Sequence, residues 1–218
     1  MATFDQLLDQ VMPEVKGSPP LALVQLKIKD AVIDFIQRSR LIRKTTGLLD
    51  WPAGSGERAL DNATFNSLLV SNQERVLQVD EAWWKGERLT PMTPEELELD
   101  YGPNWMTLTG TPGAWTREND GLRLVPEPGA NAQSLRVRIR VGLLDTATTF
   151  PDRVYNEHKL YLAMGAKAGL FYMSQKPWSD PLLADVNYRQ FISRAASARL
   201  KADRTPIKAP LVTTPHGF

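Results

Sequence analysis

Residues 160–173 read LYLAMGAKAGLFYM, with Lys167 as their only charge. A helix on a protein surface keeps a polar half, but Tyr161, Leu162, Met164, Leu170, Phe171 and Tyr172 leave little room for one. The stretch therefore predicts a helix that must be covered on most sides. The cover has to come from the N-terminal helices, from the middle of the chain, or from another copy of it. Upstream, Pro151 and Asp152 suit a first helical turn with Thr149 as cap, and Pro177 closes the run after Met173. Ser179 or Asp180 is placed to cap a second long helix that starts near Pro181 and runs to Asp203. Leu182, Val186, Arg189 and Ser193 form one stripe of it, and Leu183, Tyr188, Phe191, Ile192 and Ala195 lie around that stripe. Trp178, between proline and serine, reads as a loop tryptophan able to dock on a neighbour.

Before this pair, the period of the pattern changes twice. A short helix is expected over Phe4–Met12, capped by Thr3 and ended by Pro13. A longer one follows from Pro20 to about Ser39, where Leu21, Val24, Ile28, Val32, Phe35 and Ile36 recur every three or four residues. Between Leu41 and Ala147 the punctuation of Pro52–Gly56, Lys85-Gly86, Gly110–Gly113, Asn119–Gly121 and Pro126–Gly129 marks a β-rich region. Arg75–Val79 and Arg88–Leu89 are strand candidates on either side of Trp83-Trp84. Pro94–Leu99 reads as a short acidic helix or turn. Ala114–Glu118 and Leu122–Val125 flank an Asn-Asp-Gly turn and predict a hairpin. The clearest strand is Leu135–Val141. There Leu135, Val137, Ile139 and Val141 alternate with Arg136, Arg138 and Arg140, so three like charges share one face and require water, acid or phosphate to compensate them.

The fold class read from this is α+β: a helical bundle of N-terminal helices and two long C-terminal helices, a β-rich centre and an extended arm. Its parts are residues 1–40 for the N-terminal helices, 41–147 for the β region, 148–203 for the C-terminal helix pair, and 204–218 for a Pro-rich arm. In the arm, Pro206, Pro210 and Pro215 exclude a continuous helix, while Ile207, Leu211, Val212 and Phe218 give spaced apolar anchors and Arg204 and Lys208 positive charge.

Composition sets the limits. The 218 residues are 42% hydrophobic and 23% charged, as in an ordinary core-forming protein. No cysteine is present, which excludes disulfides, thiolate nucleophiles and Cys-containing metal sites. No signal peptide or spanning segment is evident, so no membrane partner is expected and the product reads as cytosolic. The net charge of +1 conceals polarity along the chain: Glu74–Asp100 holds eight acidic and three basic residues, and Lys27–Lys44 six basic and two acidic. Such blocks are solvated faces or surfaces that meet across an interface or face nucleic acid.

Chemistry is sparse. His158 and His216 are the only histidines, and neither belongs to an HExxH or triad pattern. Glu157 diverges from His158 by about 100° on a helix, so His158 reads as a hydrogen-bonding group on a helix face. No phosphate-loop or dinucleotide fingerprint occurs. Asp80, Glu81 and Asp100 are the carboxylates a divalent metal would recruit, on weak spacing. No catalytic residue, metal ligand or cofactor is assigned. Trp51, Trp83, Trp84, Trp105 and Trp115 read chiefly as core anchors.

The order of these parts resembles a known family. N-terminal helices leading to Lys44-Thr45-Thr46-Gly47-Leu48, the stretch Gly110-Thr111-Pro112-Gly113-Ala114-Trp115, then Leu122-Arg123-Leu124-Val125-Pro126-Glu127-Pro128, the basic strand and a closing helix pair are similar to tailed-bacteriophage adaptor proteins, also called head-to-tail connector or head-completion proteins. The likeness covers most of residues 1–204. It implies a ring of identical subunits, commonly twelve, under the portal protein in the virion, assembled from protein made in the host cytoplasm. Such a ring bridges the portal to tail or nozzle proteins and continues the channel through which DNA passes without sequence specificity. It further implies that Arg204, Ile207, Lys208, Leu211, Val212 and Phe218 belong to a portal-docking arm. The resemblance makes Arg136, Arg138 and Arg140 candidates for intersubunit or channel charge, with Glu95, Glu96, Glu98 and Asp100 as acidic partners. It makes Tyr161, Leu162, Met164, Leu170, Phe171, Tyr172 and Trp178 candidates for intersubunit packing. The competing readings are a nucleic-acid-binding module using the arginine strand and a small metal-dependent hydrolase using Asp80, Glu81 or His158.

Overall fold

A computed structural model describes residues 1–52, 57–59, 69–70, 73–118, 121–129 and 132–204. The chain begins with a two-residue strand, β1 (Ala2–Thr3), a 3-10 turn at Phe4–Leu7, one helical turn α1 (Leu8–Val11) and a second 3-10 turn at Met12–Glu14. The single helix expected over Phe4–Met12 is thus broken into three pieces. Thr3 makes no side-chain cap because it is drawn into strand pairing, and Pro13 forces the last turn. The next helix, α2 (Leu21–Ser39), buries Val24, Ile28, Val32, Phe35 and Ile36 and ends where Arg40 turns left-handed at φ 50°.

The centre then runs through β2 (Arg43–Thr45), β3 (Leu49–Trp51), β4 (Glu57–Ala59), β5 (Glu74–Trp84), β6 (Glu87–Arg88), β7 (Thr90–Pro91) and α3 (Pro94–Tyr101). It continues through β8 (Thr109–Gly110), β9 (Ala114–Glu118), β10 (Gly121–Val125), β11 (Glu127–Pro128), β12 (Ala132–Leu143) and β13 (Thr149–Phe150). Two long helices close the chain, α4 (Asp152–Phe171) and α5 (Pro181–Arg204). The α+β class is as read from the sequence.

One sheet has the order β2-β12-β5-β6, with β3 also on β12; a second has the order β4-β10-β9-β7. Their inner faces supply a core of Trp51, Val79, Ala82, Trp84, Trp115, Leu122, Leu124, Leu135, Val137 and Ile139. Of the two strand candidates beside Trp83-Trp84, Arg88–Leu89 is found one residue earlier, as β6. The first, Arg75–Val79, extends through both tryptophans as β5, because Trp84 alternates onto the buried face opposite Leu135 and the pairing with β12 continues to that point. Pro94–Leu99 becomes helix rather than turn: Glu96 N–H donates to Thr93 Oγ1 at 3.3 Å and Thr93 N–H to Glu96 Oε2 at 2.8 Å, a reciprocal cap.

The apolar helix finds its cover inside the chain. Leu162, Ala163, Ala166, Leu170 and Phe171 are buried in one cluster with Phe35 of α2 and Phe191 of α5. A Cβ built on Gly165 would stand 2.6 Å from the Phe191 ring and 3.1 Å from Ala31, so the three helices touch at their small residues. Lys167 is buried at 5% exposure and its Nζ meets Glu14 at 2.6 Å. Each large side chain buried here contributes about 1.5–3 kcal/mol. Thr149 does not cap α4; it pairs with Thr3 as β1 joins β13, and Pro151 takes the cap position. Asp180, rather than Ser179, caps α5, accepting from Leu183 N–H at 3.0 Å. Among the described residues no helix is long and apolar enough to cross a membrane.

Candidate functional site

The arginine face is set by register. On β12, Arg136 lies opposite Trp83 of β5, Arg138 opposite Glu81 and Arg140 opposite Gln78. Arg140 is 8% exposed; its Nε donates to both oxygens of Asp80, at 2.7 and 2.9 Å, and its terminal nitrogen lies 2.7 Å from Asp203 in the last turn of α5. Burial works against the Arg140 cation, but the hydrogen bonds it donates to Asp80 and Asp203, with their negative charges, outweigh it and raise its pKa. Arg138 donates to Glu81, and its guanidinium stacks 5.2 Å from the Trp83 ring; Arg88 reaches the other Glu81 oxygen at 2.9 Å. From β2, Arg43 stands 3.3 Å from Asp80 and 3.6 Å from Asp203, and Lys44 donates to Glu74 at 2.6 Å.

Two expectations change on this geometry. Arg138 and Arg140 do not await acid from a neighbour: β5 delivers Asp80 and Glu81, and α5 delivers Asp203, within the same chain. Asp80 and Glu81 correspondingly face guanidinium groups, and Asp100 lies apart from them on α3. Arg136 is exposed and makes no ion pair among the described residues. Glu95, Glu98 and Asp100 on α3 are likewise exposed, with Leu99 at 85%.

The packing candidates divide in the same way. Leu162, Leu170 and Phe171 are enclosed by their own subunit, and Trp178 is 8% exposed against the helical core rather than projecting from a loop. Tyr161 and Met164 are half-buried and Tyr172 is 52% exposed. The apolar surface that is open lies mainly on α5, where Leu182 is 82%, Val186 52% and Leu183 48% exposed, beside an edge-on Tyr172–Tyr188 pair. Arg204 is the last residue of α5, one position inside the expected arm. Ile207, Lys208, Leu211, Val212 and Phe218 lie outside the described residues.

A polar cleft at the other end of α4 brings together residues that are distant in sequence. Leu41, Arg43, Arg153, Glu157, His158, Arg194, Ser197, Ala198, Lys201 and Ala202 enclose about 230 Å3. His158 is 4% exposed, its ring is 4.9 Å from Phe35, and its Nδ1 accepts from Arg194 Nε at 3.4 Å. Burial and the nearby Arg194 charge push its pKa below the usual value. Arg153 donates to Glu157 at 2.8 Å and lowers the Glu157 pKa. The spacing Val154, His158, Leu162 was the signal for a buried histidine; Arg194, 36 residues on, carried no local signal.

What these features define is a helical body tied to a β-rich centre by internal ion pairs, with open apolar helix surface. The chain matches the model of the SU10 adaptor protein family over residues 2–214, and it belongs to that family. It is thus a phage adaptor protein, a structural component of the virion. Comparison with curated proteins finds no match.

Proposed function

We propose that copies of this chain assemble into a ring, of twelve by the family likeness, that joins the portal protein of the capsid to tail or nozzle proteins at the head-tail junction and continues the DNA channel. The observation that carries this reading is the open apolar row Leu182, Leu183 and Val186 on α5, on a chain of an adaptor family. Ring contacts are head-to-tail, so each subunit needs two unlike patches. The second is drawn from Leu160 on α4 and Leu99 on α3, 56% and 85% exposed. Tyr161, Met164 and Tyr172 extend the available apolar area beyond the residues enclosed by the subunit itself.

In this reading residues 205–218 form the arm that docks on the portal, and Asp203, tied to Arg140 and Arg43, fixes where that arm leaves the helix. Ordering an extended segment costs free energy on binding, and repetition around a ring offsets it by avidity. DNA passing the ring is contacted weakly and without base readout, with Arg136, exposed and without an ion pair among the described residues, as the candidate cation. Two variants test the proposal. Leu182→Glu with Val186→Glu keeps the free subunit folded, since both positions are exposed, and prevents ring formation on the portal. Deleting residues 205–218 keeps the fold and abolishes portal attachment. Unchanged assembly by both variants refutes the reading.

A further inference from the structure

On α3, Leu97 is buried with Trp105, Ala114 and Val125, and Leu99 follows it two residues later. At about 100° per residue the two side chains diverge by about 200°. Leu99 therefore stands on the side of the helix turned away from its own core, 85% exposed. Glu95 and Glu96 lie one turn before it, Glu98 and Asp100 flank it in sequence, and the helix carries no cation. The result is one apolar knob ringed by carboxylates.

The exposed side of α5 has the opposite relief. Leu182, Val186, Arg189, Ser193, Ala196 and Leu200 recur at alternating intervals of four and three, all of them exposed, which is the seam one helix offers another. Leucines stand at the ends of that seam and small side chains near its centre. There Gln190, Ser193, Arg194 and Ser197, at i, i+3, i+4 and i+7, surround a hollow that Tyr161 of α4 and Arg189 complete, a groove of about 440 Å3. Four residues at that spacing form the hole into which a neighbouring helix inserts a knob. The Ser197 hydroxyl donates back to the Ser193 carbonyl at 2.9 Å, so that hydroxyl asks for no further acceptor. Between Val186 and Leu200 the helix has three arginines and no carboxylate. Arg194 stacks 5.1 Å from the Tyr161 ring and donates to His158, but makes no ion pair among the described residues. Arg189 pairs with Asp185 at 2.7 Å, an exposed contact one turn away that is weak and exchangeable.

We propose, resting on the ring reading above, that α3 of one copy docks in this groove of the next, with Leu99 entering the hollow at Ser193 and Ser197 and the carboxylates of Glu95 and Glu98 meeting Arg189 and Arg194. Knob and hollow are different surfaces of the chain, so the contact runs head to tail, as ring closure demands. Burial of the knob supplies the attraction. The opposite charges around it steer the encounter and fix the register.

The chain contains no cysteine, so Leu99→Cys with Ser197→Cys supplies its only thiols. In the full-length protein assembled on its portal and then oxidised, the double variant yields a ladder of disulfide-linked copies, and either single variant yields none. Glu95→Lys with Glu98→Lys, both exposed, leaves the subunit folded and raises about tenfold or more the concentration at which copies fill the portal. Adding Arg189→Glu recovers part of that loss, and this pair of measurements reports even where the thiol variant fails to assemble. A parent chain that gathers on the portal as a closed set, with no ladder from the double cysteine variant and unchanged assembly of the lysine variant, overturns this contact and leaves the ring reading standing. Disulfides from Leu99→Cys to portal or tail protein overturn it equally, by giving α3 another partner. A parent chain that does not assemble on the portal overturns both.

Discussion

Arg140→Met removes the guanidinium from the junction of three elements while keeping an unbranched apolar stem. In the folded chain that group is 9% exposed at its side chain, and it holds Asp80, 12% exposed, and Asp203, 42% exposed. Breaking a buried pair by deleting one partner costs about 3–5 kcal/mol. Two features reduce that figure here. Asp80 and Asp203 both retain Arg43, at 3.3 and 3.6 Å, and Asp203 is open enough for water to solvate it. The expected loss is therefore about 2–3 kcal/mol, read as a shift in the urea midpoint at unchanged slope, or as about 4–12 °C in Tm for a domain of this size. Asp203→Asn, on the exposed side, costs less, about 0.5–1 kcal/mol. The double variant Arg140→Met with Asp80→Asn shows coupling of about 1–3 kcal/mol, as neighbours in one network do. A loss below about 0.5 kcal/mol for Arg140→Met, or additive behaviour of the pair, refutes the claim that this arginine ties the sheet to α5.

Gly165→Ala gains about 1 kcal/mol of helix propensity but drives a methyl group to 2.6 Å from the fully enclosed Phe191 ring; overpacking of this kind costs about 1–3 kcal/mol, so thermal unfolding should show a net loss of about 1 kcal/mol. For His158 the sign follows from its lowered pKa: the unfolded chain takes up the proton more readily, so stability present above about pH 6.5 declines as pH falls below it. His158→Gln removes that part of the slope in urea titrations run between neutral and mildly acidic pH, and an unchanged slope contradicts the burial argument. Thr93→Ala removes the reciprocal cap of α3 and costs about 1 kcal/mol, visible in hydrogen exchange confined to residues 94–101.

Much of the fold was legible because its elements are strongly periodic. Leu135–Val141 alternates cleanly, and α2 repeats its apolar residues on one side. The apolar stretch 160–173 announced that it needed cover. Its sequence did not contain the answer to what covers it, because that answer depends on small residues. Ala163, Gly165 and Ala166 let α2 and α5 approach closely enough to enclose Leu162, Leu170 and Phe171 within one chain. The arginine row was visible in the same way, whereas its compensation was not, since Asp80 and Asp203 are 60 and 63 residues from Arg140 in sequence. The cleft at His158 is the extreme case. Its lining comes from β2 and the residues before it, α4 and α5, and only the folded chain unites an apparently isolated histidine with Arg43, Arg194 and Lys201.

The central claim is that this chain acts by assembling between portal and tail. Native mass measurement of the full-length protein mixed with its portal tests it most directly. The account predicts a complex carrying a closed set of copies, twelve for a full ring, that is lost when residues 205–218 are removed. A chain that remains monomeric and unattached in the presence of the portal contradicts it.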